Sequence, residues 1–427
     1  MQKNKFRAAL LSFLCISLLL TACGRELRTG EPTAEPTTVV LTEPAQTASA
    51  TATDGERMDT LREMRGFWMT YAEIGALYQH GERGFYDTLL SNFQMLAKKG
   101  FNTVFFHARA FADAFYPSAI FPWSSYLTGT QGVAPGIDPL ALAVSAAHAC
   151  GLQLHAWINP YRVSYNNDIT ALSDGNPAKQ MRDSGNDDML LISDSGIYFD
   201  PSYPEVQRLI LDGVREILAA YAVDGIHIDD YFYPTDVGTL DSAEYHAYID
   251  NGGNLSLGDW RRANVNSLVS GMYAAVKTAR PDIPFGVSPG GIMDTNYNSY
   301  YADVEYWVKN TGYCDYIIPQ IYFGFLNKNY GFDPLFAAWT ALCDGADVKL
   351  YIGLAMYKTG AEDSYAGSAA GREEWLQNSD VVARQIKIIR DNAVCSGFCL
   401  FSYTDLVGNQ TNAIKAAEAQ NVFTLME

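Results

Sequence analysis

Positive charge is scarce in this chain: 30 Lys and Arg stand against 48 Asp and Glu, a formal net charge of −18. No basic cluster appears, which excludes nucleic acid and anionic lipid surfaces as partners recognised by charge. A Gly-rich phosphate loop is also missing, so nucleotide chemistry has no support and no cofactor is expected. Cysteine is sparse. Besides Cys15 and Cys23 near the N-terminus there are Cys150, Cys314, Cys343, Cys395 and Cys399, an odd set without framework spacing. They read as small hydrophobes beside strands and helices, with a Cys314 to Cys343 bridge left open. Cys395 and Cys399 have no second pair and no nearby His, so a zinc site and any other metal site go unsupported there.

Long apolar runs are lacking too. Ala8 to Leu20 follows the basic residues Lys3, Lys5 and Arg7 and is too short to span a membrane as a mature helix. It ends in Leu20-Thr21-Ala22-Cys23-Gly24, which resembles a bacterial lipoprotein signal. The resemblance implies removal of residues 1–22, lipidation of Cys23, and an exported protein held to the membrane through that anchor alone. Residues 23–60 are Thr, Pro, Ala and Glu without aromatics, a composition that cannot offset the entropy of ordering and predicts a solvated tether. The remaining 61–427 is expected to be one folded unit.

The most informative stretch is Asp224 to Pro234, DGIHIDDYFYP. Ile226 and Ile228 alternate with Gly225, His227 and Asp229, the period of a β-strand, so His227 and Asp229 face opposite to the isoleucines. The strand runs into Asp229, Asp230 and the rings Tyr231, Phe232 and Tyr233. Adjacent carboxylates followed by aromatics suit a sugar-cleaving site: acids move protons or steady a glycosyl cation, and rings stack on sugar faces. A lone Asp would more simply cap a turn.

Strand-like and helix-like segments alternate from Met64 onward. The strands are read at Arg65 to Thr70, Asn102 to Arg109, Leu152 to Pro160, Gly225 to Phe232, Pro284 to Gly291, Asp315 to Gly324, Lys349 to Lys358 and Gly397 to Leu406. Between them lie amphipathic helices such as Glu205 to Tyr221. Eight such units argue for an α/β fold, a (β/α)8 TIM barrel with long βα loops, over an open doubly wound sheet. In a barrel the C-terminal strand ends share one mouth. It would hold His107, Arg109 and Asp113; Trp157, Asn159, Tyr161 and Arg162; His227, Asp229, Asp230 and Tyr231; Gln320 and Tyr322; Tyr357 and Lys358; and Asp405. Asp229 and Asp230 should line its deepest polar pocket, beside Arg109, Asn159, Tyr322 and Lys358.

Several stretches resemble one family in order: FNTVFFHARAFADAFYP, LHAWINPYRV, DGIHIDDYFYP, DWRRANVN, FGVSPGGI, DYIIPQIYF, YIGLAMYK and FSYTDL. On these the chain is identified as a member of the glycosyl hydrolase-like 10 family. The resemblance implies a glycosidase-related barrel in an exported, often lipid-anchored protein. It also implies action on N-acetyl-sugar strands, peptidoglycan stripped of its peptides above all, so the expected partner is a polysaccharide.

Three chemistries stay open. Asp230, freer in its loop, is the expected general acid ahead of Asp229, and two carboxylates so close should raise a pKa. A two-acid mechanism needs a partner across the sugar, with Asp113 and Asp405 as candidates and Glu73 behind them. Substrate assistance is the alternative. DGIHIDDY is similar to the DGxDxDxE of chitinase-like barrels, but His227 replaces the middle Asp and Tyr231 the acid Glu. Asp113 has a simpler role in an ion pair with Arg109, and Asp405 in a helix cap. Rival readings are a zinc hydrolase built on His107, His155 and His227, and a lectin-like barrel that binds glycan without cutting it. Trp123 and Trp157 are subsite candidates, Trp307 and Trp339 core residues. Arg261 and Arg262 could hold a substrate carboxylate or an internal salt bridge.

Overall fold

The computed structural model describes residues 63–79, 81–408 and 411–426; the signal, Cys23 and the tether lie outside them. Eight parallel strands close a barrel. They are β1 (Met64–Met69), β2 (Thr103–Arg109), β3 (Gln153–Ile158), β4 (Gly225–Ile228), β5 (Phe285–Val287), β6 (Tyr316–Ile317), β7 (Lys349–Ala355) and β8 (Cys395–Phe401). Each pairs with its neighbours in sequence and β8 returns to β1. The expected α/β barrel is therefore the architecture.

Alternation along the strands sorts side chains into two layers. Val104, Phe106, Leu154, Ala156, Ile226 and Ile228 face outward into the core shared with the helices. Met64, Trp68, Phe105, Trp157, Tyr316, Ile318, Tyr351 and Cys399 fill the barrel itself. Such large rings fit because small residues face them. A Cβ on Gly286 would lie 1.9 Å from the Tyr316 ring, and one on Gly225 2.5 Å from His155.

Some strands are shorter than their sequence suggests. β5 and β6 stop before Pro289 and Pro319, which lack the N–H a ladder needs. Single bonds carry the alignment onward: Ile318 N donates to Val287 O at 2.8 Å and Gln320 N to Pro289 O at 2.9 Å. β4 ends at Ile228 rather than Phe232, which frees Asp229 and Asp230 from the ladder. β8 begins at Cys395 and ends at Phe401, four residues short of Asp405.

The helix Pro204–Ala220 opens on Pro in its first turn and buries Val206, Ile210, Val214, Ile217 and Leu218. Burying each such side chain contributes about 1.5–3 kcal/mol. Trp307 and Trp339 are buried in helices, as expected. The five cysteines are free, which removes the Cys314 to Cys343 bridge. Sequence periodicity missed an excursion between β3 and the helix Pro204–Ala220. Arg162–Ser164, Leu190–Ser193 and Gly196–Phe199 form an antiparallel sheet with the last in the middle.

Candidate active site

β3 and β4 lie side by side, with Trp157 in register with His227. Two residues on, just past the end of β4, Asp229 turns into the barrel, and its Oδ2 accepts a 2.9 Å bond from Trp157 Nε1. Trp157 is itself clamped by His107, whose ring stacks on it at 3.6 Å and 11°. Asp229 is thus 3% exposed, with its second oxygen lacking a protein partner. Burial, then the Asp230 charge beside it, pushes its carboxyl up to about 7.

Asp230 is half-buried and opens towards the mouth. Its Oδ1 accepts from Gln320 Nε2 at 3.1 Å, and the same amide donates to Ser288 O at 3.0 Å. Burial raises its pKa as well. Gln320 can hold this position because its backbone bridges Gly290 on one side and Gly353 on the other. Asp230 is therefore the more accessible carboxyl, with Asp229 buried beside it, and the raised pair can hold one proton and one charge near neutral pH.

Arg162 crosses above them. Its guanidinium stacks 3.8 Å from the centre of the Tyr231 ring and 4.7 Å from Phe111. Asn159 sets this geometry from below, accepting Arg162 N at 3.1 Å while its own N–H donates to Arg109 O at 2.8 Å. Asn159 is fully buried and Tyr161 likewise, so both shape the chain rather than line an open surface. Tyr322 lies 5.7 Å from the Phe401 ring, and burial above all, with the Asp230 charge among its neighbours, holds its hydroxyl protonated. Tyr198, from the excursion sheet, and Tyr300 also sit within reach of Asp230 and Tyr231. Neither was named from sequence: both precede or follow irregular segments whose path no periodicity gives.

Other expected residues are placed elsewhere. His227 is fully buried below the mouth, accepting from Trp68 Nε1 at 3.2 Å and sharing the Tyr316 hydroxyl with His155. Among the described residues no three His, Cys, Asp or Glu are grouped to hold a metal, and these histidines are core partners. Arg109 is fully buried over Phe121 at 4.6 Å, with no ion pair to Asp113. Asp113 instead accepts from Gln131 Nε2 at 3.2 Å, and burial pushes it up to about 6. Lys358 is paired with Asp363 at 2.9 Å. Tyr357 packs beside Tyr322 and Phe401, with its carbonyl accepting from Lys415. Asp405 pairs with Lys415 at 2.5 Å and accepts Ser402 N. Glu73 is engaged by Thr70, Ser402 and Thr404. Trp123, half-buried, bridges Ala114. So the mouth gathers Asp229, Asp230, Trp157, Gln320, Tyr231, Arg162 and Tyr322, while Asp405, Lys358 and Arg109 have structural partners or burial of their own.

Known proteins share this fold and sequence. Solved structures with the same fold include the PgaB (BpsB) glycoside hydrolase domain from Bordetella bronchiseptica, at TM-score 0.56 and 12% identity, covering 84% of this chain and 98% of that one. Alpha-L-fucosidase isoenzyme 2 from Paenibacillus thiaminolyticus aligns at TM-score 0.54 and 14% identity, covering 85% of this chain and 49% of that one. In sequence, the glycosyl hydrolase YngK of Bacillus subtilis is 34% identical over 373 residues, 82% of this chain and 69% of that protein. The glycosyl hydrolase DigH of Escherichia coli is 34% identical over 337 residues, 74% of this chain and 75% of that protein. Residues 63–366 match the model of one family across the barrel strands β1 to β7, the carboxylate pair included, and the chain belongs to that family of glycoside hydrolases, glycosyl hydrolase-like 10.

Proposed function

We propose that this glycoside hydrolase is exported, anchored by lipid on Cys23, and cleaves N-acetyl-sugar glycan strands, in particular peptide-free peptidoglycan. The observation that carries the reading is the pair Asp229 and Asp230 at the end of β4, one buried against Trp157 and one open to the mouth. Asp405 is ion-paired with Lys415, which removes one of the two candidate second carboxylates, and substrate assistance is the route taken here. In that route Asp230 gives its proton to the glycosidic oxygen as the bond to the anomeric carbon breaks. The acetamido oxygen of the same sugar bonds to that carbon, and ionised Asp229 accepts its N–H. Water then attacks the anomeric carbon, Asp230 takes the proton, and the acetamido group is restored.

The test is chromatography of purified glycan strands, with and without stem peptides, after incubation with the protein. Shortened peptide-free strands are expected, and strands stripped of their N-acetyl groups should stay uncut. Uncut peptide-free strands would overturn the substrate, and cleavage of de-N-acetylated ones the mechanism. Cys23→Ser should move the protein from the membrane fraction to the soluble one; retention on the membrane would refute the anchor.

A further inference from the structure

The cations near the mouth differ in what holds them. Arg261 is fixed by Asp241 at 2.7 and 2.5 Å, Arg262 by Asp259 at 2.7 Å, and Lys358 by Asp363 at 2.9 Å. Arg261 and Arg262 therefore have the internal salt bridge, and a substrate carboxylate must find another host. Arg109 is sealed inside the barrel wall. Arg162 alone combines partial exposure, closeness to the carboxylate pair, and the lack of an ion pair within 4.0 Å among the described residues. Its Nε also lacks a protein partner.

The local chemistry explains why this matters. Tyr231 and Phe111 contact the face of the guanidinium, which holds its plane and strips water from it. Stacking on the face leaves edge N–H groups for a planar anion, the bidentate geometry that Arg provides and Lys does not. The charges of Asp229 and Asp230 reach Arg162 without forming an ion pair within 4.0 Å, so its N–H groups are not taken up by a carboxylate.

We propose that Arg162 is a specificity residue that binds a free carboxylate on the glycan, carried either by a lactyl ether or by a uronic acid next to the cleaved bond. The proposal rests on the glycan-hydrolase reading above and adds the class of sugar. It gives a preference for peptide-free strands a physical cause, because joining a peptide to a lactyl group turns the charged, two-oxygen acceptor into a neutral amide.

The experiment compares kcat/KM of wild type, Arg162→Gln and Arg162→Lys on N-acetylated oligosaccharides bearing free lactyl carboxylates and on the same sugars reduced to alcohols. Wild type should prefer the acid by on the order of tenfold or more. Arg162→Gln should bring the ratio near one by losing rate on the acid, and Arg162→Lys should recover part of it. A residue that merely tunes Asp229 and Asp230 would slow both substrates by the same factor; an unchanged ratio in Arg162→Gln overturns the proposal, as does a wild type without preference. A uronic-acid series run in parallel distinguishes the two carboxylate sources. If wild type cuts nothing, the functional reading fails, and binding decides the inference separately. Trp fluorescence titration of Asp230→Asn protein should then show tighter binding of the acidic oligosaccharide than of its reduced form, lost on adding Arg162→Gln. Equal affinities would refute it.

Discussion

Glu73 and Asp405, on the β8 and β1 side of the mouth, are surrounded by donors. Glu73 accepts from Thr70 N, Thr70 Oγ1, Ser402 Oγ, Thr404 N and Thr404 Oγ1, and Asp405 from Lys415 and Ser402 N. Asp229, on β4 across the barrel, accepts one side-chain bond, from Trp157, and leaves Oδ1 without a protein partner. Its neighbours on and just after β2 and β3 share that condition: both His107 nitrogens, Arg109 Nε and Nη1, Asp113 Oδ1 and Asn159 Nδ2 are buried without partners. Each such group costs about 1–3 kcal/mol. The same architectural position, an acid at a strand end, thus meets fully satisfied oxygens on one side and an unpartnered oxygen on the other. What separates them is how completely the surrounding backbone and side chains satisfy the charge.

The largest expected effect sets these two sides directly against each other. Asp230→Asn keeps the shape and the Gln320 contact but cannot give or take the proton, so kcat should fall by roughly 10²–10⁴ with the unfolding midpoint nearly unchanged. Asp405→Asn and Glu73→Gln should do the reverse. Each weakens several hydrogen bonds and costs about 1–3 kcal/mol of stability by urea unfolding, with only a modest loss of rate. Loss of turnover in a fully stable Asp405→Asn protein would break the comparison and return that residue to the chemistry.

Sequence carried the barrel because strand alternation, helix periodicity and turn residues all agree with it, as in β4 and the helix Pro204–Ala220. It also singled out Asp229 and Asp230 as two adjacent acids directly after a buried strand. It could not tell Asp405 from Asp230. Lys415 and Ser402, which neutralise or bond Asp405, are ordinary residues whose approach depends on how the C-terminal helix docks. His227 was misplaced for a related reason. Periodicity gives the direction of a side chain, inward here, but not its depth, and the Trp68 and Tyr316 partners lie on other strands. Tyr198 and Tyr300 were missed because irregular segments bring them to the site. Arg162 itself opens the excursion sheet, paired with Tyr198, and its ring partners Phe111 and Tyr231 come from two different loops.

The pH profile sharpens the same contrast. Burial raises both carboxyls of the pair at the end of β4, Asp229 up to about 7 with the Asp230 charge beside it, so the two share one proton up to that pH. Since the reaction needs one proton in the pair, kcat/KM should fall above about pH 7, by roughly tenfold per pH unit. In Asp229→Asn the falling limb should report Asp230 alone, raised by burial and lowered by Gln320 and Arg162 with no second carboxylate beside it, and move to lower pH. A limb that stays in place would locate the essential proton outside this pair.

The smallest effect concerns stability, and it asks whether the β4 side stores unfavourable charge. Asp229 titrates near 7 in the folded protein against 3.8 as the ordinary value, so the native state binds this proton more tightly than the unfolded chain does. Its contribution is therefore present below the unfolded value and is lost as pH rises towards the folded one. Asp113, raised to about 6, and Asp200 and Glu418, each raised to about 7, tilt the wild-type curve the same way. Only a difference between proteins isolates one residue. Asn at position 229 carries no charge and still offers Trp157 an acceptor, so Asp229→Asn should exceed wild type at pH 8 by on the order of 1 kcal/mol. The gap should close as both are taken to pH 4, where the wild-type carboxyl is protonated. Urea midpoints across that range measure it. A gap that widens on acidification would mean that the Asp229 charge is well paired after all, and the distinction between the two sides of the mouth would then rest on geometry alone.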